Sequence, residues 1–427
     1  MKARIFVIAI IMTACVNSLF SQGYYKDIYM DGGIKLTSRQ DLPAARRLDL
    51  SIEHFITGND TPESPLTLQD TIMQQKLFCG CETDLNGILL YPDGAPRFRM
   101  IYVNGGKATP HGKSLTEKGR TNIQNFVKNG GSYLGTCAGM FLASFALASS
   151  KDSIKPNPAY LGVWPGIAHS TKLIKSSTGL FIEKGAPILK YYNYGGDMYV
   201  DSVRHNGGGF AYDANALPKG TEILMRYDYE ALTAKDLSIH KKISSWAWKK
   251  SKKTGRVVLI GSHPEGSTSG ERLDLMSALI QYAIDGLGEP SIKGELRNGI
   301  SREMIRSTTD NDPDYTMIGD RQYHHFTTTI PKNARNIKVM LKGPDMYNLN
   351  LYMRKGGLAF KQDADYMEIS SGAQKEICID HMDSCKWNIA VECTSTVEVI
   401  NSQWGELYSG NLSVLNGVPY SIIITWE

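Results

Sequence analysis

Two different patterns of apolar and polar positions divide the chain. Within residues 22–289, short apolar runs such as residues 98–103 and 257–260 alternate with longer amphipathic stretches such as residues 115–128 and 271–284. Turns that contain glycine separate these runs. The alternation of strands and helices predicts an α/β domain built on a mostly parallel sheet.

Three further segments of this domain have weaker patterns. Apolar residues recur near one face of residues 42–55, which predicts a helix. We also expect a helix over residues 140–148 and a strand over residues 87–91.

The pattern changes after residue 289. Residues 290–322 are rich in glycine, proline and charge and predict a linker. From residue 323 to residue 427 no helical period is present, and short alternating runs recur at a spacing typical of an antiparallel β-sandwich. The predicted strands are residues 326–330, 336–341, 349–353, 375–379, 387–391, 397–400, 412–415 and 420–426.

The beginning of the chain predicts a targeting segment. Lys2 and Arg4 flank the start of an apolar run, residues 5–12, which suits a signal peptide and is too short to span a membrane. We expect a signal peptide over residues 1–21. The stretch that ends at Cys15 loosely resembles a bacterial lipoprotein box, so lipidation is a second outcome. In both cases we expect an exported protein that is periplasmic, secreted or a lipoprotein.

Composition and charge point to an ordinary globular protein. The 427 residues are 42% hydrophobic and have a formal net charge of +4, which names no partner. The densest basic run, residues 249–256, lies between two strand-like runs and favours a solvated hairpin turn. We therefore expect no nucleic-acid partner.

The cysteines limit the redox and metal chemistry. Cys79 and Cys81 are too close in sequence for an easy disulfide and have no evident histidine partner, so we expect no metal site. One disulfide is expected among Cys378, Cys385 and Cys393, because exported proteins meet an oxidising environment.

The most informative motif is Gly135-Thr136-Cys137-Ala138-Gly139. A β-type run leads into Cys137 and a helical run follows, so the cysteine is predicted on a tight strand-to-helix turn. Small neighbours let such a turn close, and the positive end of the following helix favours the thiolate. The motif predicts a nucleophile, and the alternative is a small buried cysteine with a packing role.

A base and an orienting acid follow a second strand. His263 comes directly after residues 257–260, and the carboxyl ends of parallel strands build sites at one edge of a sheet. His263 can take the Cys137 proton, and Glu265 can hold the other imidazole nitrogen. We therefore predict Cys137, His263 and Glu265 as catalytic residues.

A third strand end supplies candidate oxyanion donors. Residues 98–103 run into Asn104, Gly105 and Gly106, whose glycines let backbone N–H groups face the site. We expect N–H groups near Gly105, Gly106 and Ala138 to bind the oxyanion. A plain turn is the alternative for this segment.

Two other blocks are candidates for the walls of the site. His205-Asn206-Gly207-Gly208-Gly209 has glycines that allow close backbone approach to a substrate. We predict Asn104, His205, Asn206 and Gly207 as substrate-binding residues, with a glycine-rich turn as the alternative. Trp164 is either a pocket wall or a core residue.

Together these segments resemble the class I glutamine amidotransferase-like superfamily. That family combines an early Gly-Gly oxyanion strand, a glycine-bracketed cysteine elbow and a late His-Pro-Glu. Residues 133–139, 162–166 and 205–209 are similar to blocks of the domain named after the N-terminus of biotin-protein ligases. The resemblance implies a flavodoxin-like, mostly parallel sheet with helices on both faces.

The resemblance also implies roles for individual residues. It assigns the nucleophile to Cys137, the base to His263 and the orienting acid to Glu265. Members of the biotin-ligase-like subgroup often lack a complete triad, whereas this chain retains its His-Pro-Glu. The chain shows no biotinyl-transfer domain and no ammonia-consuming synthetase domain.

The end of the chain resembles the bacterial pre-peptidase C-terminal domain, most clearly in residues 348–357 and 387–391. The resemblance implies a β-sandwich accessory of a secreted enzyme, with contact to a cell surface or polymer as one role. Asp363, Asp365 and Asp380 are candidates for calcium, and scattered solvated carboxylates are the alternative.

These observations favour an exported cysteine hydrolase of amide or peptide bonds. Its substrate is a small molecule or a peptide, and no cofactor is expected. Export and the missing synthetase argue for hydrolysis over ammonia transfer. Membrane contact is expected only with lipidation at Cys15. The alternative is a non-catalytic small-molecule or peptide-binding protein on a degenerate amidotransferase-like fold.

Overall fold

The computed structural model covers most of the chain outside its N-terminal segment. The predicted signal segment, which includes Cys15, lies outside the described residues. No helix in the described part is long and apolar enough to cross a membrane. The described residues are 23–31, 42–54, 75, 77–82, 84–150, 153–213, 216–230, 238–310, 312–381, 383–402 and 405–427.

The first structural unit is built on one large mixed sheet. Its strands are β1 (Lys26–Asp31), β2 (Ile52–His54), β3 (Phe98–Val103), β4 (Ser132–Thr136), β5 (Ser144–Ser150), β6 (Ser153–Pro156), β7 (Trp164–Ser170), β8 (Ser176–Ile182), β9 (Tyr199–His205), β10 (Gly209–Ala211), β11 (Thr221–Asp228), β12 (Ile243–Trp248) and β13 (Val257–Ile260).

Five neighbouring strands form the parallel part of this sheet, in the order β2-β1-β3-β4-β13. The sheet then continues as β12-β10-β7-β5-β6, while β11 pairs with β12 and β8, and β8 with β9. In this extension only β5 and β7 run parallel to each other among the described strands. The predicted parallel core is present, and the antiparallel extension is a feature that the sequence pattern did not predict.

Helices cover both faces of the parallel part, as predicted. Ile101 of β3 belongs to the buried cluster that contains Ile123, whereas Met100 belongs to the cluster that contains Leu279. Successive side chains of a strand point to opposite faces, so these two clusters lie on opposite sides of the sheet. The helices are α1 (Pro43–Arg47), α2 (Ala108–Ser114), α3 (Thr116–Lys128), α4 (Ala138–Ala143) and α5 (Gly270–Ile284).

Three local predictions in this domain are wrong. The helix expected over residues 42–55 is only α1, and the chain then enters β2, with residue 55 outside the described part. The helix expected over residues 140–148 ends at Ala143, because the following residues pair with both β6 and β7 as β5. Residues 87–91 form turns, with an isolated bridge from Leu90 to Pro96.

The second structural unit is a β-sandwich, as predicted. One sheet has the order β14-β16-β21-β18-β19, the other has the order β15-β24-β17-β20, and β22 and β23 form a separate hairpin. Its strands are β14 (Ile292–Glu295), β15 (Arg302–Met304), β16 (Tyr323–Thr329), β17 (Arg335–Lys342), β18 (Leu349–Lys355), β19 (Tyr366–Glu368), β20 (Gln374–His381), β21 (Lys386–Cys393), β22 (Glu398–Ser402), β23 (Gly405–Ser409) and β24 (Tyr420–Thr425).

Two details of this unit differ from the sequence pattern. Residues 290–322, expected to be a linker, contribute β14 and β15, which pair with β16 and β24. Residues 412–415 lie in a 3₁₀ turn, Leu412–Asn416, and not in a strand. β14 and β15 are short, and the glycine and proline residues around them hide their pairing in the sequence.

A buried ion pair joins the two units. Lys293 Nζ lies 2.5 Å from Asp93 Oδ2, and both side chains are 4% exposed. His324 Nε2 lies 3.6 Å from the same carboxylate oxygen. Burial alone raises the pKa of Asp93, but Lys293 and His324 outweigh it and hold this pKa at about 2. The ion pair therefore stabilises the fold above pH 3.8, and this contribution is lost as the pH falls towards 2.

We predict that Asp93→Ala lowers the free energy of unfolding by about 3–5 kcal/mol, because it leaves the Lys293 ammonium buried without its counter-charge. Urea unfolding of the full chain at pH 7 measures this loss. The control is Lys190→Ala, which removes an ion pair to Asp285 whose lysine side chain is 54% exposed, and it should cost less than about 1 kcal/mol. Equal effects of the two changes would contradict the role of the buried pair.

Candidate active site

Cys137 occupies a strained turn between β4 and α4. Its φ of 48° and ψ of −103° are unusual for a residue with a side chain, and such a conformation costs about 1–3 kcal/mol. Its N–H donates to the Ile260 carbonyl at 3.0 Å, which ties the turn to β13.

The two glycines of the motif are required by close backbone approach. A Cβ at Gly135 would lie 2.6 Å from the Gly139 carbonyl carbon. A Cβ at Gly139 would lie 2.1 Å from the Val103 oxygen. Neither space admits a side chain, so the motif is the sequence signature of this turn.

His263 and Glu265 lie beside the cysteine. Strands β4 and β13 are parallel neighbours with Thr136 opposite Ile260, so the chain segments that follow both strands emerge side by side. His263 Nδ1 lies 2.8 Å from Glu265 Oε1, and the ring lies with Cys137 beside Gly105, where a Cβ would be 2.5 Å from His263 Cε1 and 3.5 Å from Cys137 Cβ. The two side chains are 14% and 12% exposed.

This environment favours a protonated imidazole. Burial alone lowers the pKa of His263, but the interactions with Cys137 and Glu265 outweigh it. The pKa of His263 is raised to about 10. The arrangement can therefore hold an imidazolium beside the Glu265 carboxylate.

The expected oxyanion donors lie next to the same side chains. A Cβ at Gly105 would lie 2.5 Å from His263 Cε1 and 3.5 Å from Cys137 Cβ, so its backbone contacts both residues. Gly106 has a φ of 146° and open space around it. Ala138 is the first residue of α4, so its N–H has no acceptor within the helix.

A cavity of about 720 Å³ opens beside these residues. Asn104, Asn206, His263 and Glu265 all line it. Asn104 is 6% exposed, and its Oδ1 has no hydrogen-bond partner among the described residues. The Asn206 carbonyl oxygen lies 3.6 Å from Cys137 Sγ and accepts from the thiol.

His205 lies behind the cavity and does not line it. The strand alternation of β9 buries His205 completely and exposes its neighbour Arg204. His205 Nε2 lies 2.7 Å from Thr171 Oγ1, and its Nδ1 lies 3.2 Å from Ser262 Oγ. Burial and the charge of His263 lower the pKa of His205 to about 4. His205 is therefore a neutral support for the segment that carries His263, in place of the predicted substrate contact.

The glycines after Asn206 also serve packing. Gly207 has a φ of 76° and donates its N–H to the Leu173 carbonyl at 2.6 Å. A Cβ at Gly208 would lie 1.8 Å from the Gly261 oxygen. The absence of side chains in this block therefore allows close packing against the end of β13, instead of the predicted approach to a substrate. Gly207 is not part of the cavity wall.

Two arginines are among the cavity residues that the sequence analysis missed. Arg204 and Arg272 both line the cavity. The alternation of β9 could have identified Arg204, because the residue next to a buried His205 must face the other side. Arg272 lies in the first turn of α5, which starts soon after His263 and must therefore begin near the site.

The structure also decides the role of Trp164 and the state of the C-terminal cysteines. Trp164 is fully buried, and its ring centroid lies 4.9 Å from that of Trp246, so it is a core residue. The cysteines described in the structure, Cys378, Cys385 and Cys393 among them, are free, so the expected disulfide is not formed.

The three candidate calcium ligands do not converge. Asp363 accepts from Arg354 at 2.5 Å, and Asp365 accepts from the Lys355 N–H at 2.7 Å. Across the described residues, no group of three or more His, Cys, Asp or Glu side chains could hold a metal ion. Asp363 and Asp365 thus have protein partners.

We predict opposite pH dependences for the two histidines. The folded-state pKa of His263 exceeds the ordinary value of 6.5, so its stabilisation is complete below pH 6.5 and is lost as the pH rises to about 10. The pKa of His205 is depressed, so its contribution is complete above pH 6.5 and is lost as the pH falls to about 4.

Urea unfolding of His263→Gln and His205→Gln across pH 4–10 checks both statements. The stability gap between wild type and His263→Gln should narrow towards alkaline pH, and the gap for His205→Gln should narrow towards acid pH. Gaps that stay constant over the whole range would refute these assignments.

Part of the first structural unit matches a known family model. Residues 95–282 match the family model described as biotin-protein ligase, N terminal. An uncharacterized protein of Chlamydia muridarum is 25% identical over 178 residues, which cover 39% of this chain and 66% of that protein. The chain thus spans slightly less than two thirds of that relative.

Solved structures similar to each unit are also found. A crystal structure of a glutamine amidotransferase covers 60% of this chain and 98% of its own, with 16% identity and a TM-score of 0.33. The pre-peptidase C-terminal domain of a collagenase from Bacillus anthracis covers 32% of this chain and 100% of its own, with 10% identity and a TM-score of 0.20. The comparisons thus show a match of residues 95–282 to the biotin-protein ligase N-terminal family model, and a similarity of this chain to the two solved structures.

Proposed function

We propose that this protein is an exported cysteine hydrolase of amide or peptide bonds. The observation that carries the proposal is that Cys137, on its strained turn, and His263 lie together beside Gly105, while Glu265 holds His263 at 2.8 Å. A nucleophile, a base and a group that orients the base are the three parts that covalent acyl transfer needs. The pattern of the first 21 residues supports export.

The first step is acylation of the cysteine. The Cys137 thiolate attacks the carbonyl carbon of the substrate, and the carbonyl oxygen becomes an oxyanion. Backbone N–H groups near Gly105 and Ala138 stabilise this charge, since they lie beside the Cys137 and His263 side chains. His263 then donates its proton to the departing nitrogen, the C–N bond breaks, and a thioester remains on Cys137.

The second step is hydrolysis of the thioester. His263 takes a proton from water, and the resulting hydroxide adds to the thioester carbonyl. The C–S bond breaks, the carboxylic acid leaves, and the Cys137 thiolate and the His263 imidazolium are restored. Glu265 keeps Nδ1 engaged throughout, so that Nε2 faces the reacting atoms.

The second candidate is a binding protein without turnover. It is favoured by the small exposure of Cys137, which is 5%, and by the hydrogen bond of its thiol to the Asn206 carbonyl. In this case the cavity holds a small molecule or peptide, and the β-sandwich contacts a cell surface or polymer. It predicts ligand binding with no chemical change at Cys137.

We predict that Cys137→Ala abolishes hydrolysis of amide and peptide substrates, because it removes the nucleophile. His263→Ala should lower kcat/KM by about 10²–10⁴-fold through loss of general acid–base catalysis. The rate of product release from a panel of amides and γ-glutamyl peptides measures both effects. The control is Cys378→Ala, which removes an exposed cysteine of the β-sandwich and should retain full activity. Equal rates for Cys137→Ala and wild type would exclude the hydrolase.

A further inference from the structure

The cavity beside His263 has a cationic wall. Arg204 and Arg272 line it, and both side chains are exposed. In the part of the chain that the structure describes, neither guanidinium forms an ion pair with a carboxylate. Glu265 is the acidic residue of the wall, and its Oε1 is already bound to His263. The free positive charge of the wall is therefore available to an anion.

The arginines are held in place by the backbone of the site. The His263 N–H donates to the Arg204 carbonyl at 2.8 Å, so Arg204 lies in register with the base. Arg272 Nη1 donates to the Ser202 carbonyl at 3.1 Å, which directs this side chain towards β9. Arg204 and Arg272 thus line the cavity from the two segments that flank His263.

The cavity lies on the histidine side of the nucleophile. Its wall contains His263, Glu265 and the chain that follows them into α5, whereas the Cys137 thiol points to the Asn206 carbonyl at its edge. In an acyl transfer the base delivers its proton to the leaving nitrogen, so the leaving group occupies this side.

Two further features point to a ligand with an N–H group and a negative charge. Asn104 lines the cavity, and its buried Oδ1 has no hydrogen-bond partner among the described residues, so a donor on the ligand would satisfy it. The N-cap of α5, Ser269, makes no side-chain capping bond, which leaves the first N–H groups of a 15-residue helix to complement an anion.

We propose that the substrate is an acyl compound whose leaving amine carries a carboxylate, as in a peptide with a free C-terminus. Arg204 and Arg272 bind this carboxylate, and Asn104 accepts an N–H of the same substrate. The proposal rests on the hydrolase function, because the C–N bond that breaks joins the acyl group to this amine. The released product is an amino acid or short peptide that takes its amine proton from His263.

Binding can be separated from turnover in the Cys137→Ala variant. Calorimetric titration with N-acetyl-dialanine and with its C-terminal amide compares two ligands that differ in one charge. The free acid should bind about 10- to 100-fold more tightly, as expected for hydrogen bonds to a charged group. Arg204→Gln combined with Arg272→Gln should bring the two affinities close together. The control is Arg335→Gln, an exposed arginine of the β-sandwich, which should leave the preference unchanged.

The outcomes separate the two proposals. Equal affinity for acid and amide, or no binding of either, overturns the carboxylate site. Preferential binding of the acid, combined with no hydrolysis of any panel amide by the wild type, overturns the hydrolase and retains an anion-binding cavity. Preferential binding of the acid that survives loss of both arginines also overturns the assignment of Arg204 and Arg272.

Discussion

The backbone crowding at the ends of β3, β4 and β13 is the constraint on which the site depends. Three neighbouring parallel strands end together, and the chain that follows β4 must turn at once into α4. Gly135 and Gly139 have no room for a Cβ, and Cys137 adopts a positive φ. The same crowding places Asn104 and His263 beside the cysteine. The positions of these side chains therefore follow from the order of the strands in the sheet.

A shell of buried polar groups holds the end of β13. His205 contacts Thr171 and Ser262, and Gly208 packs on the Gly261 oxygen. A neutral His205 and a charged His263 can therefore lie at short range. Burial and the charge of His263 keep His205 unprotonated, whereas the interactions with Cys137 and Glu265 keep the proton on His263. A substitution at His205 would therefore act on the site through the position of His263.

The residues of the candidate site were predictable where their pattern is local. Cys137 and His263 follow strands whose apolar runs are unambiguous, and glycines mark the turns beside them. Arg204 was missed because its role depends on which face of β9 is buried. The continuation of α4 as β5 could not be predicted, since residues 144–148 are apolar enough for either structure and their pairing with β7 decides between them. The β14 and β15 strands depend likewise on partners that are distant in sequence.

Trapping of the covalent intermediate tests the central claim most directly. The wild-type protein is mixed with the amide and peptide panel, quenched in acid within seconds, digested and measured by peptide mass spectrometry. The account predicts an acyl group on the peptide that contains Cys137, sensitive to hydroxylamine as a thioester. An enzyme that turns over substrate without any adduct at Cys137, or with an adduct at another residue, would contradict it.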